Sequence, residues 1–204
     1  MSRLDDLRRK QPTRNAKPRV LIVCEGKVTE PSYLNALNQL WGTKVVLEFD
    51  YKYSAPKKIV EVAAEVKKAA KRKRREDPNE DYSAIWCVFD QDDHLLVREA
   101  LQQASANYIP VAYSNPNFEL WLLLHFQSQT APLTRQEAAR CCAQHMPGYD
   151  KIPDTMALLP LLEAALLRAS ELKNRQEERG VPRESPWTEV HELVAAIRSL
   201  GGSA

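Results

Sequence analysis

Residues 83–93 read SAIWCVFDQDD, a nearly unbroken apolar run that ends in Asp90-Gln91-Asp92-Asp93. A continuous apolar segment of this length suits a strand buried on both faces, as in a parallel sheet. Residues 19–26, RVLIVCEG, repeat the arrangement and end in Glu25-Gly26. Around these two runs, strands and helices alternate. Thr29 reads as an N-cap, with Pro31 in the first turn of a helix that reaches about Leu40. A strand over 44–51 follows. Ser54 and Pro56 open a second helix, and Ile59, Val60, Ala63, Val66 and Ala70 give it one apolar face. After strand 83–89 come a helix over 95–105 and a strand over 108–113. Pro110 has no amide donor and argues for an edge position there. The alternation predicts an α/β fold: a mostly parallel four-stranded sheet with right-handed crossovers, flanked by helices.

From Asn115 onward the pattern becomes helical. NFELWLLLHF (117–126) is apolar nearly all round and reads as a buried helix. Further helices are expected over 134–145, 154–178 and 187–199, punctuated by Pro132, Pro147, Gly148, Pro153, Gly180, Pro182 and Pro186. Three parts follow: a basic tail (1–18), an α/β core (19–114) and a helical subdomain packed on it (115–200).

The chain has 204 residues, 44% hydrophobic and 27% charged, with a formal net charge of +2. That is ordinary globular composition with no global bias toward a polyanion. No run approaches the roughly 20 apolar residues of a membrane helix, and no apolar segment of a secretory signal follows the basic N-terminus. The four cysteines, Cys24, Cys87, Cys141 and Cys142, lack zinc-finger spacing and suit a reducing cytoplasm. The adjacent pair reads first as small hydrophobes on a helix. There is no Walker A pattern, so ATP hydrolysis by this chain is not expected.

Ligands of open parallel sheets bind outside the carboxyl ends of the strands. Glu25, Asp90 and Asp92 are therefore expected at one rim. Left alone they would repel one another, and one would tend to take up a proton. Mg²⁺ or a similar hard cation removes that conflict, and it favours a few carboxylates plus substrate phosphates. Gly26 would let backbone approach a ligand without a β-carbon in the way. The competing reading is that these acids cap helices and face solvent.

Glu25-Gly26 and Asp90-Gln91-Asp92 resemble the two motifs of the Toprim domain. Together VCEGKVTEPSYL (23–34), FDQDDH (89–94), SNPNFELWLLLHF (114–126), YDK (149–151) and PWTEVHELV (186–194) resemble the RloB-like family. The resemblance implies a prokaryotic cytoplasmic protein of anti-phage defence, encoded beside a partner ATPase, with a Mg²⁺- or Mn²⁺-dependent nuclease role. Glu25 matches the family glutamate, and Asp90 and Asp92 match its DxD pair. The chain departs from the wider Toprim pattern in having no Asp four residues after Glu25, where Thr29-Glu30 stands instead.

Other residues carry two readings each. Glu119, in the most apolar helix, is either an acid of the metal site or half of a buried ion pair, since burying a lone carboxylate is costly. Lys151 either neutralises charge developing on a phosphoryl group or is a solvated lysine. His94 contacts metal or phosphate, or caps a helix. Asn115 is a helix cap or a polar site contact, and His125 reads mainly as a satisfied core histidine. Lys27 could reach a phosphate. Residues 67–75, KKAAKRKRR, with Lys71, Arg72, Arg74 and Arg75, form a candidate nucleic-acid patch or a solvated helix end favoured by the dipole. The leading expectation is a phosphodiesterase acting on DNA or RNA. The alternatives are a non-catalytic subunit that binds nucleic acid or a partner, and a nucleotide-modifying enzyme. Self-association is compatible with the sequence.

Overall fold

A computed structural model of the chain describes residues 17–43, 45–73, 81–91 and 96–202. Among them, β1 (Arg19–Cys24), β2 (Val46–Asp50), β3 (Ala84–Asp90), β4 (Val111–Asn115) and β5 (Trp187–Thr188) form one sheet in the order β2-β1-β3-β4-β5. The first four strands are parallel and β5 is antiparallel to β4. The sheet departs in direction from β1, so β1 and β3 flank a topological switch point, where open α/β sheets take their ligands. Residues 1–16 of the expected basic tail, and the candidates Arg74, Arg75, Asp92 and His94, lie outside the described residues.

Alternate residues of the apolar strands serve two cores. Val20, Ile22, Cys24, Trp86, Val88 and Ala112 face α1 (Thr29–Leu40), α4 (Phe118–Phe126) and α8 (Val190–Gly201). Leu21, Val23, Ile85, Cys87, Phe89 and Tyr113 face α2 (Pro56–Lys73) and α3 (Val97–Ala106). Burial on both faces explains why β1 and β3 show no polar alternation. α4 is enclosed between the sheet and α5 (Arg135–His145) and α7 (Leu162–Glu178). Leu120, Trp121, Leu122, Leu123 and Leu124 are all fully buried, each side chain contributing about 1.5–3 kcal/mol by leaving water. The expected α/β sheet and C-terminal helical part are both present.

Four local expectations are corrected. Residues 187–199 do not form one helix: Trp187 and Thr188 pair with Asn115 and Ser114, and the helix starts at Val190. The Glu189 amide donates to the Tyr113 carbonyl (2.9 Å), and a hydrogen bond between the Thr188 and Ser114 hydroxyls (3.1 Å) fastens the pairing. The segment 154–178 divides into α6 (Thr155–Leu158), a 3-10 turn (Leu159–Leu161) and α7, at the point where Pro160 cannot donate to the ladder. The fourth strand starts at Val111 rather than Tyr108, because Tyr108 sits at φ 53° and Pro110 lacks a donor. Thr29 is the first residue of α1 and not its N-cap. Its hydroxyl donates instead to the Lys151 carbonyl at 2.8 Å.

Candidate active site

The strand ends are clamped before the acids emerge. The Glu25 amide donates to the Val88 carbonyl (3.2 Å), and the Gln91 amide to the Ser114 carbonyl (2.7 Å). Glu25, just past β1, and Asp90, the last residue of β3, thereby stand side by side at the carboxyl rim. Tyr113 Oη donates to Gln91 Oε1, fixing the residue after Asp90.

Two further carboxylates join them. Glu30, in the first turn of α1, is 6% exposed. Burial pushes its pKa up to about 7, with added push from the charges of Glu119 and Glu25 and opposing pull from the backbone amides of Glu30 and Gly26. Asp90 is also raised well above its ordinary range. Burial is the largest cause, followed by the charges of Glu30 and Glu119, with Arg135 opposing and Glu25 adding to the rise. Glu119, in the first turn of α4, accepts a hydrogen bond from Tyr149 Oη at 3.2 Å. It therefore faces the acid cluster. No ion pair of Glu119 is found among the described residues.

Gly26 owes its identity to this cluster. A β-carbon on residue 26 would overlap the Glu30 carboxylate. The close approach anticipated for a ligand is made by Glu30.

Among the described residues, no three His, Cys, Asp or Glu side chains form a group arranged to hold a metal ion, and Asp92 lies outside them. The donor chemistry nonetheless suits a hard cation. Burial and the neighbouring carboxylates make Glu30 and Asp90 resist ionisation, and Mg²⁺ sites commonly use one or two carboxylates and keep several waters. Glu30 and Arg135 received no role from the sequence reading. The signal for Glu30 was its place one helical turn beyond Glu25-Gly26; Arg135 lies far along the chain and gave none.

The remaining candidates divide by position. Lys27 is exposed in the β1–α1 turn, and Lys151 is exposed at φ 62°, its carbonyl held against the start of α1. Both belong to the acid rim. Lys71 and Arg72 do not. They end α2, beside a cleft of about 440 Å³ that Lys71 lines with Asp81, Tyr82 and Tyr108 at the amino ends of β3 and β4. The length of β1, six residues at about 3.3 Å each, puts that rim about 20 Å from the acids.

His125 is a satisfied core residue. Its Nδ1–H donates to the Trp121 carbonyl (3.1 Å), leaving Nε2 to accept from Tyr33 Oη (2.9 Å). Asn115 does not cap α4, whose N-cap is Asn117. Its Nδ2 donates to the Arg183 carbonyl at 3.0 Å. All four cysteines are free thiols, and Cys142 donates to the Glu119 carbonyl.

These features define a class: a doubly wound α/β protein with an acid-rich site at its topological switch point. The model of the RloB-like protein family matches residues 20–197, and the chain belongs to that family. No curated protein and no solved structure matches it. Among the described residues no helix is long and apolar enough to cross a membrane.

Proposed function

We propose that this protein is a Mg²⁺- or Mn²⁺-dependent phosphodiesterase acting on nucleic acid, and the effector of a prokaryotic anti-phage defence system working with an ATPase. The observation that carries this reading is that Glu25 and Asp90 follow neighbouring parallel strands at the carboxyl rim, where Glu30 and Glu119 add like charge that acts on them through space. Asp90 and Asp92 would hold the cation, with Glu119 supporting them. A bound divalent cation stabilises negative charge growing on a phosphoryl oxygen and lowers the pKa of water. Glu25 either completes the ligand set or accepts the proton of the attacking water. Glu30, buried in the first turn of α1 close to these acids, would add a further carboxylate to the set. Lys151 and Lys27, exposed beside the rim, would meet the phosphate. The likeness of the two acidic motifs to those of Toprim nucleases adds support.

The test is incubation of the protein with labelled single- and double-stranded DNA, single-stranded RNA and tRNA, with Mg²⁺, Mn²⁺ or EDTA. A variant with Glu25, Asp90 and Asp92 all changed to Ala runs alongside. Cation-dependent cleavage that is absent from the variant supports the assignment. Cleavage by the variant at the parent's rate refutes it. A second reading, a non-catalytic subunit that binds nucleic acid or a partner, draws on the absence of a three-donor metal group among the described residues. It would be favoured if neither protein cleaves while the parent binds a partner ATPase.

A further inference from the structure

The acid cluster alone repels a polyanion, so a substrate must be drawn in from neighbouring surface. A groove of about 940 Å³ is lined by Gln91, directly after Asp90, and runs along α3. One wall is α3, with Arg98 in its first turn and Gln102 one turn on. The other wall is the 182–184 segment, which brings Arg183 and the exposed Glu184. Arg183 is held at φ 67° by two anchors. Asn115 donates to its carbonyl, and Glu189 pairs with Nη2 at 3.1 Å. The floor is apolar, with Val97, Leu101 and Pro182. Guanidinia and amides around an apolar floor form the polar-on-apolar pattern of a ligand site, and the volume lies within the usual range of such sites.

The geometry points to this groove as the seat of a single strand of nucleic acid flanking the scissile phosphate, with Arg98 and Arg183 taking backbone phosphates and Gln102 a sugar or base edge. The proposal rests on the phosphodiesterase reading for its scissile phosphate. Two features select a single strand, and a third sets which of its groups are touched. At about 940 Å³ the groove is of small-ligand size, which suits one chain rather than a duplex. Arginines stand on opposing walls, so one backbone can engage both. Tyr113, the aromatic residue of the lining, is 2% exposed with its hydroxyl tied to Gln91, so contacts run to phosphates and edges rather than to stacked bases. Such binding is sequence-tolerant and salt-dependent.

The test measures anisotropy of fluorescein-labelled single-stranded RNA and DNA 12-mers with the full chain carrying Asp90→Asn, which suppresses cleavage. Arg98→Glu with Gln102→Glu alters two exposed positions of α3 and should leave the melting temperature in place. The double change is expected to weaken binding at least tenfold and to flatten the salt dependence by about one unit of slope. Arg198→Glu, the same charge reversal on α8 across the sheet, should leave affinity within twofold. Unchanged affinity in the α3 variant overturns the proposal, as does an equal loss in the α8 variant or no binding by the parent. Cleavage is read separately. Parental cleavage with groove variants that bind normally sinks only the groove assignment. Groove-dependent binding without cleavage under any cation sinks the phosphodiesterase reading and leaves the groove standing.

Discussion

The carboxylate of Glu30 fills the volume that a side chain at residue 26 would need. Gly26 and Glu30 lie one helical turn apart across the β1–α1 junction, and the absent β-carbon lets the acid fold back beside Glu25. Gly26→Ala should therefore displace the far end of one flexible side chain rather than disrupt the backbone. The expected result is a loss of cation-dependent cleavage comparable to that of Glu30→Gln, with a melting temperature within a few degrees of the parent. A Gly26→Ala protein of full activity would mean that the position of Glu30 is immaterial.

Like charges held together in the cluster should cost stability until a cation is bound. In EDTA, Glu30→Gln and Asp90→Asn should each raise the melting temperature by about 2–4 °C, corresponding to about 1 kcal/mol in a protein of this size. Millimolar Mg²⁺ should stabilise the parent and have less effect on Asp90→Asn, since only binding to the folded state shifts the transition. Thermal melts of the three proteins with and without Mg²⁺ test this. Equal Mg²⁺ shifts in all of them would place the cation elsewhere.

His125 predicts a pH dependence of folding. Burial is the largest cause that lowers its pKa from 6.5 to about 4, so between those values the unfolded chain binds a proton that the folded chain resists. Stability contributed by neutral His125 is complete above about 6.5 and declines as pH falls toward 4. The drop is worth about 3 kcal/mol. Chemical denaturation from pH 7 to pH 4.5 should register this loss. His125→Gln, which keeps a polar group for Tyr33, should flatten that part of the profile, and an unaltered profile would exclude His125 as its source.

Lys71 and Arg72 sit about 20 Å from the acids by the length of β1. A charge reversal of both should leave the turnover of a short saturating oligonucleotide intact. If the patch binds nucleic acid, KM for long substrates should rise severalfold, and more so at low salt. A fall in kcat on the short substrate would show that the two rims communicate.

The two apolar runs ending in acids were enough to read the α/β class, the parallel sheet and the pairing of Glu25 with Asp90 at one rim. Period and composition are local properties, and strands buried on both faces declare themselves by uninterrupted hydrophobicity. Other features depended on packing between distant segments. Trp187 and Thr188 became a strand because β4 offered an unpaired edge at Ser114 and Asn115. Thr29 gave up capping for the Lys151 carbonyl, more than a hundred residues away. The basic run of α2 read as a nucleic-acid patch or a solvated helix end without a place relative to the acids; a helix returning from a parallel strand ends at the opposite edge, and only the topology assigns it there. What the sequence by itself determined was which residues must be buried and where acids follow strands. Tertiary structure decided which charges act on one another, because Glu30, Glu119 and Arg135 influence Asp90 through space from three other elements, and no local pattern encodes their convergence.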